Sequence, residues 1–478
     1  MAISNPQQNS NASFNSVEQK TPLSFFVVLT ASIAAIAGVL FGFDTGVISG
    51  AILFIKTEFH LTPLMNGAVV SAVLFGALLG SMISGYFADY FGRRMLLIIT
   101  ALIFVVGTLL SATAPSVLIL MLSRGVVGFA IGIASFTTPL YISEIAPPRF
   151  RGALVSLNQL AITIGILVSY GVDTYFAEAQ NWRWMLGVGV VPAVILFCGM
   201  FFLPRSPRWM VLKGNKEAAR KVLSDIRGIK DVSAELDEIQ DSIQEKPNWR
   251  MLFRHWLMPA LVIGVGLAFF QQCTGINTII YYAPTIFQLA GFHSATIAIL
   301  ATAGVGVVNV LFTILALFLI DSWGRRPLLL IGLTGMCVSL VILSISFYVG
   351  GDSELLKWLA LGSMVIYIAC FAMSLGPIMW LVISEIFPLE VRGIGSSLAV
   401  SACWGFNLIV AVSFLTLINA LGPSGTFLIF AVFSIAAIVF VHRLVPETKG
   451  VSLEHIETNL RAGIPSRDLG QWIDPQSK

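Results

Sequence analysis

Two ionisable side chains stand in stretches of sequence that are otherwise uncharged. Asp44 lies in Phe41-Gly42-Phe43-Asp44-Thr45-Gly46, and Arg124 in Leu122-Ser123-Arg124-Gly125. A charged carboxylate at the centre of a bilayer costs about 2.5–3.5 kcal/mol on insertion scales, so it needs a cation, a water cavity or a proton. Burial disfavours the charged form and a neighbouring cation favours it. A carboxylate whose surroundings alternate between the two is a proton carrier; one whose surroundings never change is half of a static ion pair. Asp44 and Arg124 are the fully intramembrane charges that this reading finds.

A second group of residues is polar without charge. Gln159, Gln271, Gln272, Asn277, Asn309 and Asn407 lie in apolar stretches. An amide offers both a donor and an acceptor, and burying it without a partner is costly. Several of them predict either a polar, uncharged ligand or hydrogen bonds between helices. Trp380 and Trp404 would supply flat apolar faces for the C–H surface of such a ligand.

A third group is written twice. Residues 85–94 contain Asp89-Tyr-Phe-Gly92-Arg93-Arg94, and residues 318–326 contain Asp321-Ser-Trp-Gly324-Arg325-Arg326. Each is followed by a second pair, Ser143-Glu144 with Arg151-Gly152 and Ser384-Glu385 with Arg392-Gly393, seven residues from Glu to Arg both times. Eight charges result: Asp89, Arg93, Glu144, Arg151, Asp321, Arg325, Glu385 and Arg392. Either they serve membrane topology alone, or they pair across the ends of two similar halves and hold that end closed. Networks of this kind can bias a two-state equilibrium even where single exposed pairs contribute little.

These groups need a scaffold that lipid can solvate. Of 478 residues, 56% are hydrophobic and 11% charged, against about 25% charged in soluble domains. A bilayer-spanning helix takes roughly 20 apolar residues. Twelve stretches qualify: 25–50, 66–88, 95–113, 116–138, 153–175, 184–203, 258–285, 294–320, 327–349, 356–384, 394–418 and 424–445. Small-residue faces such as Gly76, Gly80 and Gly85, or Gly125, Gly128 and Gly132, suit close helix packing in lipid. The duplicated charges divide the spans into two six-helix halves. The fold class expected is therefore an all-α membrane protein of twelve transmembrane helices with a helical insert.

The expected divisions are a disordered cytoplasmic tail over 1–24, a first half over 25–203, a cytoplasmic linker over 204–257, a second half over 258–445, and a cytoplasmic helix and tail over 446–478. In the linker, Val232, Leu236, Ile239 and Ile243 recur at helical spacing between acidic residues, which predicts an amphipathic helix under the membrane. With both termini inside, only Lys56, Arg183 and Lys357 among the Lys and Arg outside the spans face outward, as the positive-inside rule requires. The net charge of +3 gives no sign of nucleic-acid binding. Cys198, Cys273, Cys337, Cys370 and Cys403 sit in apolar stretches without metal-ligand spacing and imply no disulfide framework. The start of the chain lacks the pattern of a secretory signal peptide, and Asn11-Ala-Ser13 reads as a chance sequon.

Over about residues 25–460 the chain resembles the sugar porter family of the major facilitator superfamily, in particular bacterial galactose–, arabinose– and xylose–proton symporters. The likeness is carried by both Asp-Xaa-Xaa-Gly-Arg-Arg loops, Arg124-Gly125-Xaa-Xaa-Gly128, Pro139-Xaa-Tyr141-Xaa-Ser-Glu144, Gln271-Gln272-Xaa-Xaa-Gly275-Xaa-Asn277, Tyr281-Tyr282-Ala-Pro284, Gly376-Pro377-Xaa-Xaa-Trp380, Pro446-Glu447-Thr448-Lys449-Gly450 and the tail from Val451. The resemblance implies that the Asp44–Arg124 pair couples protons to sugar; facilitators commonly carry Asn at the Asp position. It also implies sugar contacts from Phe41, Gln159, Ile166, Gln271, Gln272, Asn277, Tyr281, Asn309, Trp380, Trp404 and Asn407. Three positions depart from the family pattern. Arg205 reverses the usual acidic charge of Pro-Glu-Ser-Pro-Arg, Cys403 stands where Asn or Gln is common, and Ile166 replaces the Gln of xylose symporters.

The function expected is a proton-coupled monosaccharide importer, for galactose, glucose, arabinose or xylose, working by alternating access. Its partners are the sugar, the proton and the bilayer of a bacterial inner membrane. It is expected to need no cofactor, metal or nucleic acid and to work as a monomer. A passive facilitator is the alternative, and a membrane sugar sensor a more remote one. No phosphate loop, His-Glu-Xaa-Xaa-His or nucleophile triad supports an enzyme.

Overall fold

The computed structural model describes residues 24–471 except 148–149, 230, 242–248, 293, 351–353, 389 and 452. Ser24 apart, the tail expected over 1–24 lies outside the described residues, as does Ile243 of the predicted amphipathic helix. Eleven helical stretches among the described residues are long and apolar enough to cross a membrane. The first half contains α1 (Phe25–Glu58), α2 (Pro63–Phe91), α3 (Arg93–Ala112), α4 (Val117–Ile145), α5 (Arg151–Ala177), and a sixth span made of α6 (Trp182–Gly187) and α7 (Val190–Met200). Three short helices follow: α8 (Pro207–Leu212), α9 (Lys216–Arg227) and α10 (Ser233–Asp241). The second half contains α11 (Met258–Cys273) with α12 (Ile276–Leu289), then α13 (Ala295–Trp323), α14 (Arg325–Val349), α15 (Glu354–Met373) with α16 (Leu375–Ile386), and α17 (Arg392–Leu444). A terminal α18 covers Leu453–Arg461.

The 53 residues of α17 would run about 80 Å if straight, far beyond a bilayer thickness. Gly422, at φ 72° and followed by Pro423, breaks the helix into the eleventh and twelfth spans. Twelve crossings result, as the sequence predicts.

The repeated loop is the tightest connection in the fold. Gly92 ends α2 and begins α3, and Gly324 ends α13 and begins α14, at φ 83° and 91°. Only glycine enters that left-handed region without strain, so each Asp-Xaa-Xaa-Gly-Arg-Arg motif reverses the chain between two spans in a single residue.

Inside the first half, small residues set the helix spacing. Gly38, Gly42, Gly46 and Gly50 form one stripe along α1, pressed against Asn158, Ile162, Ile166, Ser169 and Asp173 of α5. A Cβ at Gly42 would stand 1.9 Å from the Ile162 carbonyl oxygen. Gly128 and Gly132 of α4 meet Val73 and Ala77 of α2 in the same way. With lipid on the outside, such packing replaces the hydrophobic drive of a soluble core. The polar insert is tied to this half by Arg227, buried at 7% exposure. Its guanidinium donates to the carbonyls of Ile145 and Ala146 at the end of α4, at 2.7 and 3.3 Å, and pairs with Glu235 at 2.7 Å. A cation there satisfies the unpaired carbonyls and the dipole of the helix end.

Gly42→Ala is expected to destabilise the detergent-purified protein by about 1–3 kcal/mol, the range for overpacking a filled interface. Gly152→Ala, with open space around its would-be Cβ, should be silent. Thermal loss of the monodisperse elution peak compares them, and equal melting of both variants would remove the stripe from its structural role.

Candidate functional site

Two spans are interrupted at the same depth. Between α11 and α12 the chain passes through Thr274 and Gly275, the latter at φ 90°, and Tyr282 departs again from helical geometry just before Pro284. Between α15 and α16, Ser374 takes φ −128° and ψ −96°. Broken helices are tolerated inside a bilayer only where the freed carbonyls find partners or line a cavity. Here the Thr274 carbonyl at the end of α11 accepts the Tyr367 hydroxyl at 2.9 Å, and Gln271 Nε2 joins the two breaks by donating to the Leu375 carbonyl at the start of α16 at 3.2 Å.

Around these breaks lies a cavity whose empty space, open solvent at its mouth included, is about 680 Å³. Ten of the residues expected to contact sugar line it: Phe41, Gln159, Ile166, Gln271, Gln272, Asn277, Asn309, Trp380, Trp404 and Asn407. The eleventh, Tyr281, does not. It lies behind the wall, where its hydroxyl receives Asn407 Nδ2 at 3.2 Å, so it orients a lining residue. Sequence reasoning omitted Thr45, Ile162, Ile280 and Phe371 from the lining, because apolar residues and a lone Thr give no signal distinct from ordinary helix packing.

The amides form a chain. Asn277 Nδ2 donates to Gln272 Oε1 at 2.7 Å, and Gln272 Nε2 donates to Gln271 Oε1 at 3.1 Å. Cys403 joins it, with Sγ 3.1 Å from Gln272 Nε2 and 3.4 Å from Gln271 Oε1. The thiol at the departing position therefore holds the two glutamines. One turn further along α17, Asn407 Oδ1 is buried without a hydrogen-bond partner, an acceptor facing the cavity. Trp404 packs against Phe41 with ring centroids 5.1 Å apart, and its indole N–H donates to Ser135 Oγ at 3.2 Å across the two halves.

Asp44 and Arg124 meet as expected. Arg124 donates through both terminal nitrogens, 3.4 Å to Oδ1 and 3.3 Å to Oδ2, and through Nε to the Val69 carbonyl at 3.2 Å. The fork geometry suits a bidentate carboxylate pair, and both side chains are buried. The pair opens onto a different cavity from the amides. Phe43, Asp44 and Val47 line a smaller space with Thr108 and Ser111 of α3, while Phe41 and Thr45 face the larger one. Helix α1 is thus the wall between them.

A further intramembrane acid was missed. Asp173 on α5 is fully buried, which corrects the reading that Asp44 and Arg124 are the only such charges. It stands two residues from the end of the predicted fifth span, where an acid gives no signal of burial.

The repeated charges are joined within each half. Arg93 pairs with Asp89 at 3.0 Å and Glu144 at 3.1 Å; Arg325 pairs with Glu385 at 2.8 Å and Asp321 at 3.8 Å. Ser206 Oγ donates to Glu144, and Thr448 Oγ1 to Glu385. In this structure both glutamates are held by partners of their own half. Arg392 donates to the Phe387 carbonyl at 3.3 Å. Arg93 and Arg325 are spent on the helix hairpins that begin with them. The halves touch through Ser81 Oγ, which donates to Ser401 Oγ at 3.3 Å, and at the end opposite the charged loops through the Tyr170 hydroxyl, which donates to the Ile280 carbonyl at 3.4 Å.

The symmetry fails at one place. Glu447 accepts the backbone N–H groups of Arg325 and Arg326, both at 3.0 Å, and so caps α14. The matching position in the first half is Arg205, which lies 5.7 Å from the Trp209 ring, and α3 has no side-chain cap.

The chain matches the profile of the family described as "Sugar (and other) transporter" over residues 30–460. It is 44% identical over 451 residues to the galactose-proton symporter of Escherichia coli K12, covering 94% of this chain and 97% of that one. To the arabinose-proton symporter of the same strain it is 41% identical, covering 91% and 94%. A solved structure of the E. coli xylose transporter XylE, titled as a partially occluded inward open conformation, matches with a TM-score of 0.79 and 33% identity over 90% of this chain and all of that one. The fold and site therefore define a membrane transporter with the major facilitator fold. The chain belongs to the sugar transporter family.

Arg205→Glu should supply α3 with the cap that Glu447 gives α14, and stabilise the protein by about 0.3–1 kcal/mol. A lower melting temperature in this variant would show that Arg205 makes a contribution of its own.

Proposed function

We propose that this chain is a proton-coupled monosaccharide importer of the bacterial inner membrane, acting as a monomer by alternating access with both termini cytoplasmic. On this reading the halves are residues 25–203 and 258–445, joined by a cytoplasmic insert over 204–257, with the charged loops inside. The observation that carries it is the division of labour along α1. Asp44 faces Arg124 and one cavity, while Phe41 and Thr45, on the same two turns, face a second cavity of amides and tryptophans. The related symporters for galactose and arabinose support a sugar as cargo.

The residues support a direct account of coupling. A neutral pyranose needs paired donors and acceptors, which Gln159, Gln272, Asn277, Asn309 and Asn407 offer, and stacking faces, which Trp380 and Trp404 offer. Ionised Asp44 accepts both prongs of Arg124 and ties α1 to α4. Protonated Asp44 loses its charge and one acceptor site, so the tie weakens, while Arg124 keeps its bond to Val69 of α2. Sugar and proton then act on the same helix from opposite sides. Once both are bound, the first half, α1 included, is free to reorient against the second. The membrane potential supplies about 2.3 kcal/mol per charge per 100 mV, so one proton supports roughly fiftyfold sugar accumulation, since about 1.4 kcal/mol is tenfold.

Asp44→Asn mimics the protonated acid. In proteoliposomes it should lose uphill uptake while keeping sugar binding and downhill exchange. Wild-type uptake of labelled galactose, glucose, arabinose and xylose, with and without a pH gradient, identifies the cargo; indifference to the gradient would make the protein a passive carrier.

Gln272→Ala removes a buried partner from the amide chain and should weaken sugar binding by roughly 1–3 kcal/mol. Calorimetry on the purified variant reads this, and wild-type affinity would take the sugar away from this cavity.

A further inference from the structure

Asp173 has no role in the account above, and its surroundings are unusual. It lies one turn before the end of α5, with no measurable exposure. Oδ2 accepts a single hydrogen bond, from the Gly50 N–H at 3.2 Å, and Oδ1 has no partner. The contact exists because residue 50 is glycine; a Cβ there would stand 2.5 Å from Oδ2. Among the described residues no ion pair reaches it. The charged groups on the elements packed against α5 are engaged or directed elsewhere. On α1, Asp44 holds Arg124 of α4, and Glu58 holds Arg183 of α6 at 2.9 Å, while Lys56 is exposed. Helix α13 carries no titratable residue between Ala295 and Ile320. The titratable neighbours are Tyr170, one turn earlier, and beyond it Tyr281 of α12.

Such a site cannot hold a charge at low cost. An ionised carboxylate with one long hydrogen bond and no cation carries most of its desolvation penalty uncompensated. A carboxylic acid there needs far less, and its proton gives the bare Oδ1 a donor function. The location gives this a consequence. Tyr170 is the residue that bonds across the halves to Ile280, and its ring packs 2.8 Å from the position of a Cβ on Gly306 of α13. Asp173 therefore sits directly behind the contact that closes the end opposite the charged loops. Opening that end separates Tyr170 from α12 and α13 and admits water to the turn below.

We propose that Asp173 is a second proton-carrying residue of this transporter, neutral while the end behind Tyr170 is closed and ionised when that end opens. The inference rests on the alternating-access reading above. The step balances simply. On closure Oδ1 takes a proton from hydronium and a water molecule is left; on opening the O–H bond breaks and the proton returns to water. Asp44 and Asp173 then load and unload on different elements, Asp44 with the α1–α4 tie and Asp173 with the closure of the far end. By linkage, the closed form binds the extra proton, so acid favours closure and rising pH favours opening.

The test reads conformation without uptake. Spin labels at Leu64 and Leu289, both exposed and on opposite halves at this end, are placed in the full chain in nanodiscs with Cys198, the exposed cysteine, replaced by Ser. In an Asp44→Asn background, the longer-distance population should still grow as pH is raised. Adding Asp173→Asn should abolish that growth. A pH response that persists unchanged in the double variant, or that is already absent in Asp44→Asn alone, overturns the proposal. If the double variant does not elute as a folded protein, the Asp44→Asn protein alone decides by infrared difference spectroscopy. A protonated-carboxyl C=O band that disappears as the far end opens is expected, and its absence overturns the proposal. Failure of symport itself would show instead as wild-type uptake that ignores a proton gradient, with the distance response intact.

Discussion

Inside a bilayer no water is available to satisfy a backbone carbonyl, an amide or a charge, and each must find its partner within the protein. The second half of this chain is organised around that constraint. Spans seven and ten are broken at Gly275 and Ser374; Tyr367 takes up the Thr274 carbonyl at the first break, and Gln271 ties the first break to the start of α16 at the second. The breaks border the larger cavity, and Gln271 also lines it. A sugar entering this space meets groups already oriented by one another, with Asn407 Oδ1 still lacking a donor. In Gln271 the bracing of a broken helix and the recognition of a polar solute fall to one side chain.

Helix α1 links the rest. Its glycine stripe lets it lie against α5 at backbone contact, and that closeness leaves no room for independent movement of the two helices. One face of α1 presents Asp44 to Arg124, and the adjoining face presents Phe41 and Thr45 to the amide cavity. A change in the charge of Asp44 and a change in the occupancy of the larger cavity are therefore felt by one rigid body. No wire of residues between distant sites is needed when a single helix forms the wall of both.

The two halves share a plan and differ in detail. Each begins its third span with an arginine bonded to a glutamate from its fourth, and each glutamate also receives a hydroxyl from the segment after its sixth. Arg94 and Arg326 likewise donate to carbonyls at the ends of the sixth and twelfth spans. The departure is Arg205, which leaves one helix end uncapped where Glu447 closes its counterpart. The hairpins are thus locked internally with unequal strength, and the halves can part at this end without breaking either lock.

Much of this was legible in the sequence. Apolar runs fix the spans, because lipid thickness sets a length that composition must match, and the duplicated Asp-Xaa-Xaa-Gly-Arg-Arg loops fix the two halves. The Asp44–Arg124 pair was readable because charge in a long apolar run has few means of support. Ten lining residues were identified by residue type and resemblance. What the sequence left open depends on distances between spans far apart in the chain. Tyr281 stands one layer behind the cavity wall, its hydroxyl holding Asn407 of α17, 126 residues on. Glu144 and Glu385 pair within their halves because each repeated hairpin delivers its own arginine first. Asp173 gives no signal of burial in the sequence, because Gly50, which brings α1 against it, lies 123 residues earlier. Sequence determined which residues lipid would bury and which chemistry they carry. Only the tertiary structure decided which of them face one another, because that choice rests on helix breaks and glycine contacts whose geometry no single segment encodes.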